Sequence, residues 1–365
     1  MSAKKFLAME RKMKLSKPFL LTVILSVFIS CDQGEEGLIK ALVVETGNLQ
    51  NITPNSAEVI GRIEVLGSNI GEGELDVMAR GAVWSSIFSE PTIEKKEGIT
   101  SDGSGLGNFK SNLTGLTELK KYYVRSYGIS KYGVYYGKVK VLYATDKPFD
   151  FDGNIYETVV IGNQEWMDEN LRTTHYSDGN PLVRVDSEFN WLELKKTDKA
   201  YCYYDNDPSN GDIYGLLYTW SAAVNYSENS ENDFEKIQGA CPFGWHIPSD
   251  VEWNDLERHL GISDTELDIK GWHGSDEGSM LKELGTEHWQ SPNYATNETG
   301  FNALPGGFRN ISGQFNALGE LGYWHSSTEY ENDYTYDRFL QHDEKRIFRS
   351  IAYWANAGSV RCVKD

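Results

Sequence analysis

Positive charge is scarce in this chain. Its 365 residues hold 35 Lys and Arg against 54 Asp and Glu, a formal charge of −19. Six of the cations (Lys4, Lys5, Arg11, Lys12, Lys14 and Lys17) fall in residues 1–30, opposed only by Glu10, so the remainder carries −24. Nucleic-acid binding needs a basic face to neutralise phosphates, and none occurs beyond residue 30. A polybasic membrane-surface mode fails on the same ground. Cysteine is scarce too: four residues, none in CxxC spacing, which leaves a structural zinc site unsupported. No two histidines stand at i and i+4 for a metal, and no Gly-x-Ser-x-Gly nucleophile elbow occurs. Acids past residue 30 are so numerous that chance carboxylate pairs are certain, so a glycosidase reading has no support. What is present suffices for folding. A chain 39% apolar and 13% aromatic is too rich for disorder. Its length fits two domains with cores of their own, and neither requires a disulfide framework.

The N-terminus reads as an address. Lys12, Lys14 and Lys17 precede an apolar run over residues 19–29, which is too short for a spanning helix of about 20 residues. It fits the h-region of a secretory signal. Ser30-Cys31 at its end resembles a bacterial lipobox, which implies that residues 1–30 are removed and Cys31 is acylated; the alternative is a plain signal peptide with an incidental cysteine. Met13 would serve as a start as well as Met1. Several acyl chains on one cysteine anchor firmly, whereas a single chain is marginal. The acidic tether over residues 31–37, with Asp32, Glu35 and Glu36, resembles the surface-export tag of Bacteroidetes lipoproteins. The expected location is the outer membrane, facing the cell surface, with membrane lipid as partner through Cys31.

Residues 38–146 read as an all-β sandwich. Ala57, Val59, Gly61, Ile63 and Val65 alternate with mostly polar neighbours, as do Val77, Ala79, Gly81 and Val83, the period of half-buried strands. Leu116 followed by Tyr122 resembles a tyrosine corner. This stretch, with Tyr136-Gly137-Lys138, resembles a bacterial fibronectin type III or immunoglobulin-like module, although Glu118-Leu119 stands where proline or asparagine is usual. Such a module is expected to be a spacer. Asp146-Lys147-Pro148 marks the boundary, because nine of ten tryptophans and all seven histidines lie beyond it.

Residues 147–365 read as an α+β domain. Ile155 to Met167 is expected to form a hairpin around Gly162-Asn163. Tyr214 to Val224 is expected to be a short helix. Ser249 and Glu252 form a capping box for a helix that Gly261 stops. With Cys31 committed to lipid, an oxidising compartment favours one pair and one leftover among Cys202, Cys241 and Cys362, and Cys241 and Cys362 could join the two ends of the domain. Cys202, in an aromatic strand-like run, reads as a buried thiol.

A family resemblance is carried by Glu165-Trp166-Met167 with Glu169-Asn170-Leu171, by Tyr214-Gly215-Leu216-Leu217-Tyr218-Thr219-Trp220 and by Cys241-Pro242-Phe243-Gly244-Trp245-His246. Gly300-Phe301-Asn302-Ala303-Leu304-Pro305-Gly306-Gly307-Phe308-Arg309 and Val360-Arg361-Cys362-Val363-Lys364-Asp365 complete it in the same order. Together they resemble the Fibrobacter succinogenes major paralogous domain. The resemblance implies a C-type-lectin-like fold, related to the formylglycine-generating enzymes, and a Cys241–Cys362 pair. It implies no activity, and Cys202 is extra to the pattern.

Candidate chemistry is sparse. Asp205, Asp207, Asn210 and Asp212 put hard oxygen donors within eight residues and form a candidate calcium loop; the alternative is a polar loop of Asx turns. Trp253-Asn254-Asp255 matches a lectin calcium tripeptide but lies within the capped helix, where it is a coincidence. His246 reads as structural, and His325 and Ser326, adjacent on a strand, point to opposite faces. Oxidase chemistry of the formylglycine type would need a second reactive cysteine near Cys362. Two or three tryptophans are expected at the surface, and Tyr330, Tyr334 and Tyr336 are expected in an exposed loop over 328–338. The reading is a non-catalytic, surface-anchored lipoprotein presenting its C-terminal domain to a glycan or protein. The alternatives are a structural envelope protein without a ligand, and an enzyme.

Overall fold

The computed structural model describes residues 41–66, 76–227, 236–331 and 333–365. The leader, Cys31 and the acidic tether lie outside the described residues. The first domain contains β1 (Ala41–Gln50), β2 (Ser56–Leu66), β3 (Val77–Ser85), β4 (Gly98–Ile99), β5 (Gly107–Thr114), β6 (Lys121–Ser130), β7 (Gly133–Tyr136) and β8 (Lys140–Tyr143). They form two sheets, β1-β2-β5 and β4-β3-β6-β7, with β8 added to β6. Val59, Ile63, Val83, Val124, Leu113 and Leu142 are wholly buried between the sheets, as the period-2 pattern requires. Gly61 must lack a side chain, because a Cβ there would lie 2.2 Å from the Phe109 ring. The Tyr122 hydroxyl accepts the Thr117 backbone N–H at 3.0 Å, so the tyrosine corner is present, and Leu119 turns the chain with a φ of 58°.

The second domain is built from short pieces. Its strands are β9 (Thr158–Ile161), β10 (Gln164–Met167), β11 (Val183–Arg184), β12 (Ala200–Cys202), β13 (Leu217–Thr219), β14 (Trp245–His246), β15 (Gly271–His273), β16 (Phe308–Arg309), β17 (Phe315–Asn316), β18 (Leu321–Glu331), β19 (Tyr334–Gln341), β20 (Ile347–Tyr353), β21 (Ala357–Gly358) and β22 (Val363–Lys364). Between them run α1 (Glu188–Leu192), α2 (Pro208–Tyr214), α3 (Trp220–Ala223), α4 (Asp250–Leu260) and α5 (Glu277–Leu281). The sheets are β14-β22-β10-β9, β11-β12-β13-β21-β16-β17 and β15-β20-β19-β18. The expected hairpin forms, with Gln164 opposite Ile161 and a φ of 62° at Gly162. Strand β22 pairs with β10 and β14, so the start and end of the domain meet in one sheet.

The expected helix over Tyr214–Val224 is not continuous. Gly215 ends α2 with a φ of 78°, and Leu217–Thr219 become a strand between β12 and β21 before α3 begins. Pairing on both edges outweighs the local helical pattern. The capping box on α4 is as expected: Ser249 accepts the Glu252 N–H, and Glu252 accepts the Ser249 N–H.

So much irregular backbone needs internal donors, since buried carbonyls must be paired. Three buried cations supply them. Lys282 donates to the carbonyls of Gln341, His342 and Glu344 at 2.9, 3.2 and 2.8 Å, and burial pulls its pKa down to about 8. Arg309 donates to the carbonyls of Gly313, Val185 and Asp186. Arg361 binds the Asn170 amide oxygen and the Phe301 carbonyl beneath the Phe301 ring, and burial lowers its pKa to about 9.

Candidate functional site

The sheet β15-β20-β19-β18 and helix α4 enclose a core of Trp166, Trp253, Trp289, Trp324 and Phe301. On the inward face a buried ionic network joins them. Arg338 spans Asp250, at 2.7 Å, and Glu257, while its second terminal nitrogen reaches Asn254 at 2.7 Å. Arg349 contacts both Asp250 oxygens, at 2.6 and 3.1 Å, and Glu257 also meets His273 Nε2 at 2.8 Å. Burial alone would raise the Asp250 pKa, but Arg349 and Arg338 outweigh it and hold it below the ordinary value. The tripeptide Trp253-Asn254-Asp255 is thereby used up: Trp253 is core, Asn254 serves Arg338, and Asp255 pairs with Arg258.

Beyond the end of this network the same face continues as an aromatic surface. Residues opposite one another in antiparallel strands share a face. Tyr336 stands opposite Ile351, while Tyr334 stands opposite both Tyr353 and Glu331. The rings of Tyr330 and Tyr336 meet edge-on at 5.2 Å, and those of Tyr334 and Tyr353 at 5.8 Å. Tyr334 is 47% exposed; Tyr330, Tyr336, Ile351 and Tyr353 are half-buried. The Lys270 ammonium lies 3.9 Å from the centroid of the Tyr330 ring and donates to its hydroxyl at 2.7 Å, while the Arg349 guanidinium lies 4.1 Å from the Tyr336 ring. In place of the expected exposed loop, β18 runs to Glu331 and pairs antiparallel with β19 from Tyr334 onward. Alternation along β19 puts Tyr334 and Tyr336 on the same side as the buried Arg338 and Leu340, and Thr335 and Asp337 on the side of Phe339. Tyrosine pairs a large rigid ring with one polar handle, and four such rings gather on this face. Tyr353, Lys270 and Arg349 are the members that sequence reasoning missed. Only strand register and tertiary packing bring them there.

The opposite face of the sheet carries Trp272, Phe339 and Phe348. Phe339 and Phe348 stack on each other at 4.1 Å, and Trp272 meets Phe348 edge-on at 5.0 Å. Trp272 is the only tryptophan not buried among the described residues, so the expectation of two or three exposed tryptophans is corrected. The β-rich core absorbs them.

The expected calcium loop does not converge. Asp205, Asp207 and Asp212 are exposed, and the described residues contain no group of three acidic, histidine or cysteine side chains able to hold a metal. Asp207 caps α2 by accepting the Ser209 N–H at 3.0 Å, and Asn210 donates to the Tyr204 carbonyl at 3.0 Å. Asp205 lies in the turn before α2, Asp207 caps the helix, and Asn210 and Asp212 lie within it, so the Asx-turn alternative describes this segment.

The remaining candidates are structural. Cys241 and Cys362 form a disulfide, joining residues 121 apart in sequence. Cys202 is buried and free, and burial pushes its thiol pKa up to about 12. His246 bridges Glu252 at 2.7 Å and Asp365 at 2.8 Å. His325 lies between Asp337 at 2.8 Å and the Tyr218 carbonyl at 2.7 Å, so both of its ring nitrogens are engaged within the fold. Cys31 lies outside the described residues.

The Fibrobacter succinogenes major domain family matches residues 159–364, more than half of the chain. This chain belongs to that family. The match begins in β9 and ends in β22, so the family domain comprises all three sheets and the tyrosine face. No curated protein matches the chain. Among solved structures, the sensor domain of the anti-sigma factor RsgI4 of Pseudobacteroides cellulosolvens is 9% identical with a TM-score of 0.21, covering 28% of this chain and 94% of that one. The 6th fibronectin type III domain from human fibronectin type III domain containing protein 3 is 18% identical with a TM-score of 0.21, covering 31% of this chain and 91% of that one. These similarities are slight. The sandwich rests on its own strand order and tyrosine corner.

Proposed function

We propose that this chain is a non-catalytic lipoprotein anchored through Cys31 at the bacterial cell surface, whose sandwich holds the family domain out toward an extracellular glycan or protein. A C-type-lectin-like arrangement of that domain belongs to the same proposal, supported by the meeting of its first and last strands in one sheet. The observation that carries the reading is the gathering of Tyr330, Tyr334, Tyr336 and Tyr353 on one partly exposed face. The histidines and cysteines described above are committed to salt bridges, a disulfide or burial, which supports recognition over catalysis.

The test is a glycan array and a protein-partner screen with residues 32–365, each repeated in chelator. Specific binding that is lost on alanine replacement at the tyrosine face supports the reading. Binding that survives those replacements moves recognition elsewhere, and no binding in either format removes it. Metabolic labelling with a fatty acid tests the anchor: the wild type should incorporate label and Cys31→Ser should not.

A further inference from the structure

We propose that the row Glu331–Tyr334–Tyr353 is a receptor for an arginine side chain of a basic protein segment. The inference rests on the recognition reading above and names the partner chemistry for that face. Its basis is a repetition within the sheet. The neighbouring part of the face already holds two cations of the chain itself. Arg349 is fixed by the Asp250 carboxylate and lies over the Tyr336 ring at 4.1 Å, and Lys270 lies over Tyr330 at 3.9 Å. Tyr334 follows the same side of β19 two residues from Tyr336, roughly 7 Å along the strand. There the face supplies a carboxylate and two rings once more, because Glu331, Tyr334 and Tyr353 are register partners across β18, β19 and β20, and a register shift between Glu329 and Glu331 interrupts the alternation that would otherwise set Glu331 on the face opposite Tyr330. Among the described residues no cation lies over Tyr334 or Tyr353, and neither Glu331 nor the adjoining exposed Asp333 has an ion-pair partner.

An aromatic face attracts a guanidinium through its quadrupole, and a carboxylate beside it adds charge-assisted hydrogen bonds. Arginine suits this better than lysine, because its planar group stacks on a ring while its N–H fork reaches an acid. The charge of −24 beyond residue 30 adds long-range attraction for a basic segment and opposes an acidic one.

The probe is a fluorescein-labelled peptide with arginines spaced by Gly-Ser, tested against residues 32–365 by anisotropy at low and at physiological salt. Its control carries citrulline in place of arginine. The expected result is binding of the arginine peptide only, weakened by salt, and at least about tenfold weaker in Tyr334→Leu and in Glu331→Gln. Leucine keeps apolar volume and glutamine keeps shape, and unchanged unfolding midpoints show that both variants fold. Equal binding of the citrulline peptide, or equal binding by both variants, overturns the proposal. Glycan binding through the tyrosine face without arginine-peptide binding overturns this inference and leaves the recognition reading standing. Absence of both overturns the two together.

Discussion

Asp250 holds Arg349 through both of its carboxylate oxygens, at 2.6 and 3.1 Å, in a setting where each side chain is nearly inaccessible to water. The same carboxylate holds Arg338 at 2.7 Å, so it links the core under α4 to the tyrosine face through the guanidinium on Tyr336.

Truncating this acid leaves two buried arginines short of a partner. Breaking a buried ion pair by removing one member costs about 3–5 kcal/mol, far more than a surface pair contributes. Asp250→Ala is therefore expected to destabilise the family domain by about that amount in urea. The surface pair of Arg184 and Asp186 is the comparison, and Asp186→Ala is expected to cost under about 1 kcal/mol. Similar losses for the two variants would show that the buried network contributes little.

His246 gives a pH dependence with a definite sign. Burial lowers its pKa, but Glu252 and then Asp365 outweigh burial, and the net shift is upward from 6.5. A raised folded-state value means that protonation stabilises the fold. That contribution is fully present below the unfolded value near 6.5 and is lost as pH rises through the folded value. The stability gap between wild type and His246→Asn should thus shrink as pH is raised from below 6.5 into the alkaline range. Urea titrations at matched pH measure it, and a gap independent of pH would disprove the charged bridge.

The disulfide acts on one domain alone. Cys241 and Cys362 close a span of 121 residues, all within the family domain. In the loop-entropy account a span of that length contributes about 4–5 kcal/mol, and removal of a native disulfide typically costs about 2–5. Reductant, or serine at both positions, is expected to lower the unfolding transition of this domain. The sandwich transition, followed through hydrogen exchange of β2 and β6, should stay in place. A joint shift of both transitions would instead show that the two domains unfold as one unit.

The parts of the molecule legible in the sequence are those set by local rules. The capping box at Ser249, the Gly162 hairpin and the alternation of β2 each depend on residues within a few positions of one another. Tyr330, Tyr334 and Tyr336 stand out by composition, but the acidic run around them reads as a loop when Glu331 in fact ends β18 and Tyr334 opens β19. Only the pairing of β19 with β20 places Tyr353 beside Tyr334, and no local pattern marks a partner 19 positions away. The segment from Leu217 to Thr219 misleads for the same reason: its strand state is imposed by two neighbours distant in sequence. The ionic network was illegible because it joins α4 to β19 and β20 across about 80 to 100 residues.

The loop from Asp205 to Asp212 yields the last prediction. Its acids are exposed, and Asp207 is engaged as the N-cap of α2, with Pro208 at the first helical position. A capping aspartate replaced by alanine typically costs about 0.5–2 kcal/mol, because one orphan amide of the first turn loses its acceptor. Asp207→Ala should cost that much with millimolar calcium and the same in chelator, since capping needs no ion. Asp205→Asn and Asp212→Asn, which cap nothing, should be nearly silent in both conditions. A bound ion would act differently: it stabilises only the form that binds it, so the midpoint would climb with calcium concentration. Thermal unfolding of the wild type across a calcium series separates the two. A flat series with a constant Asp207→Ala deficit fits the cap, whereas a rising series abolished by Asp205→Asn would restore these oxygens as metal ligands.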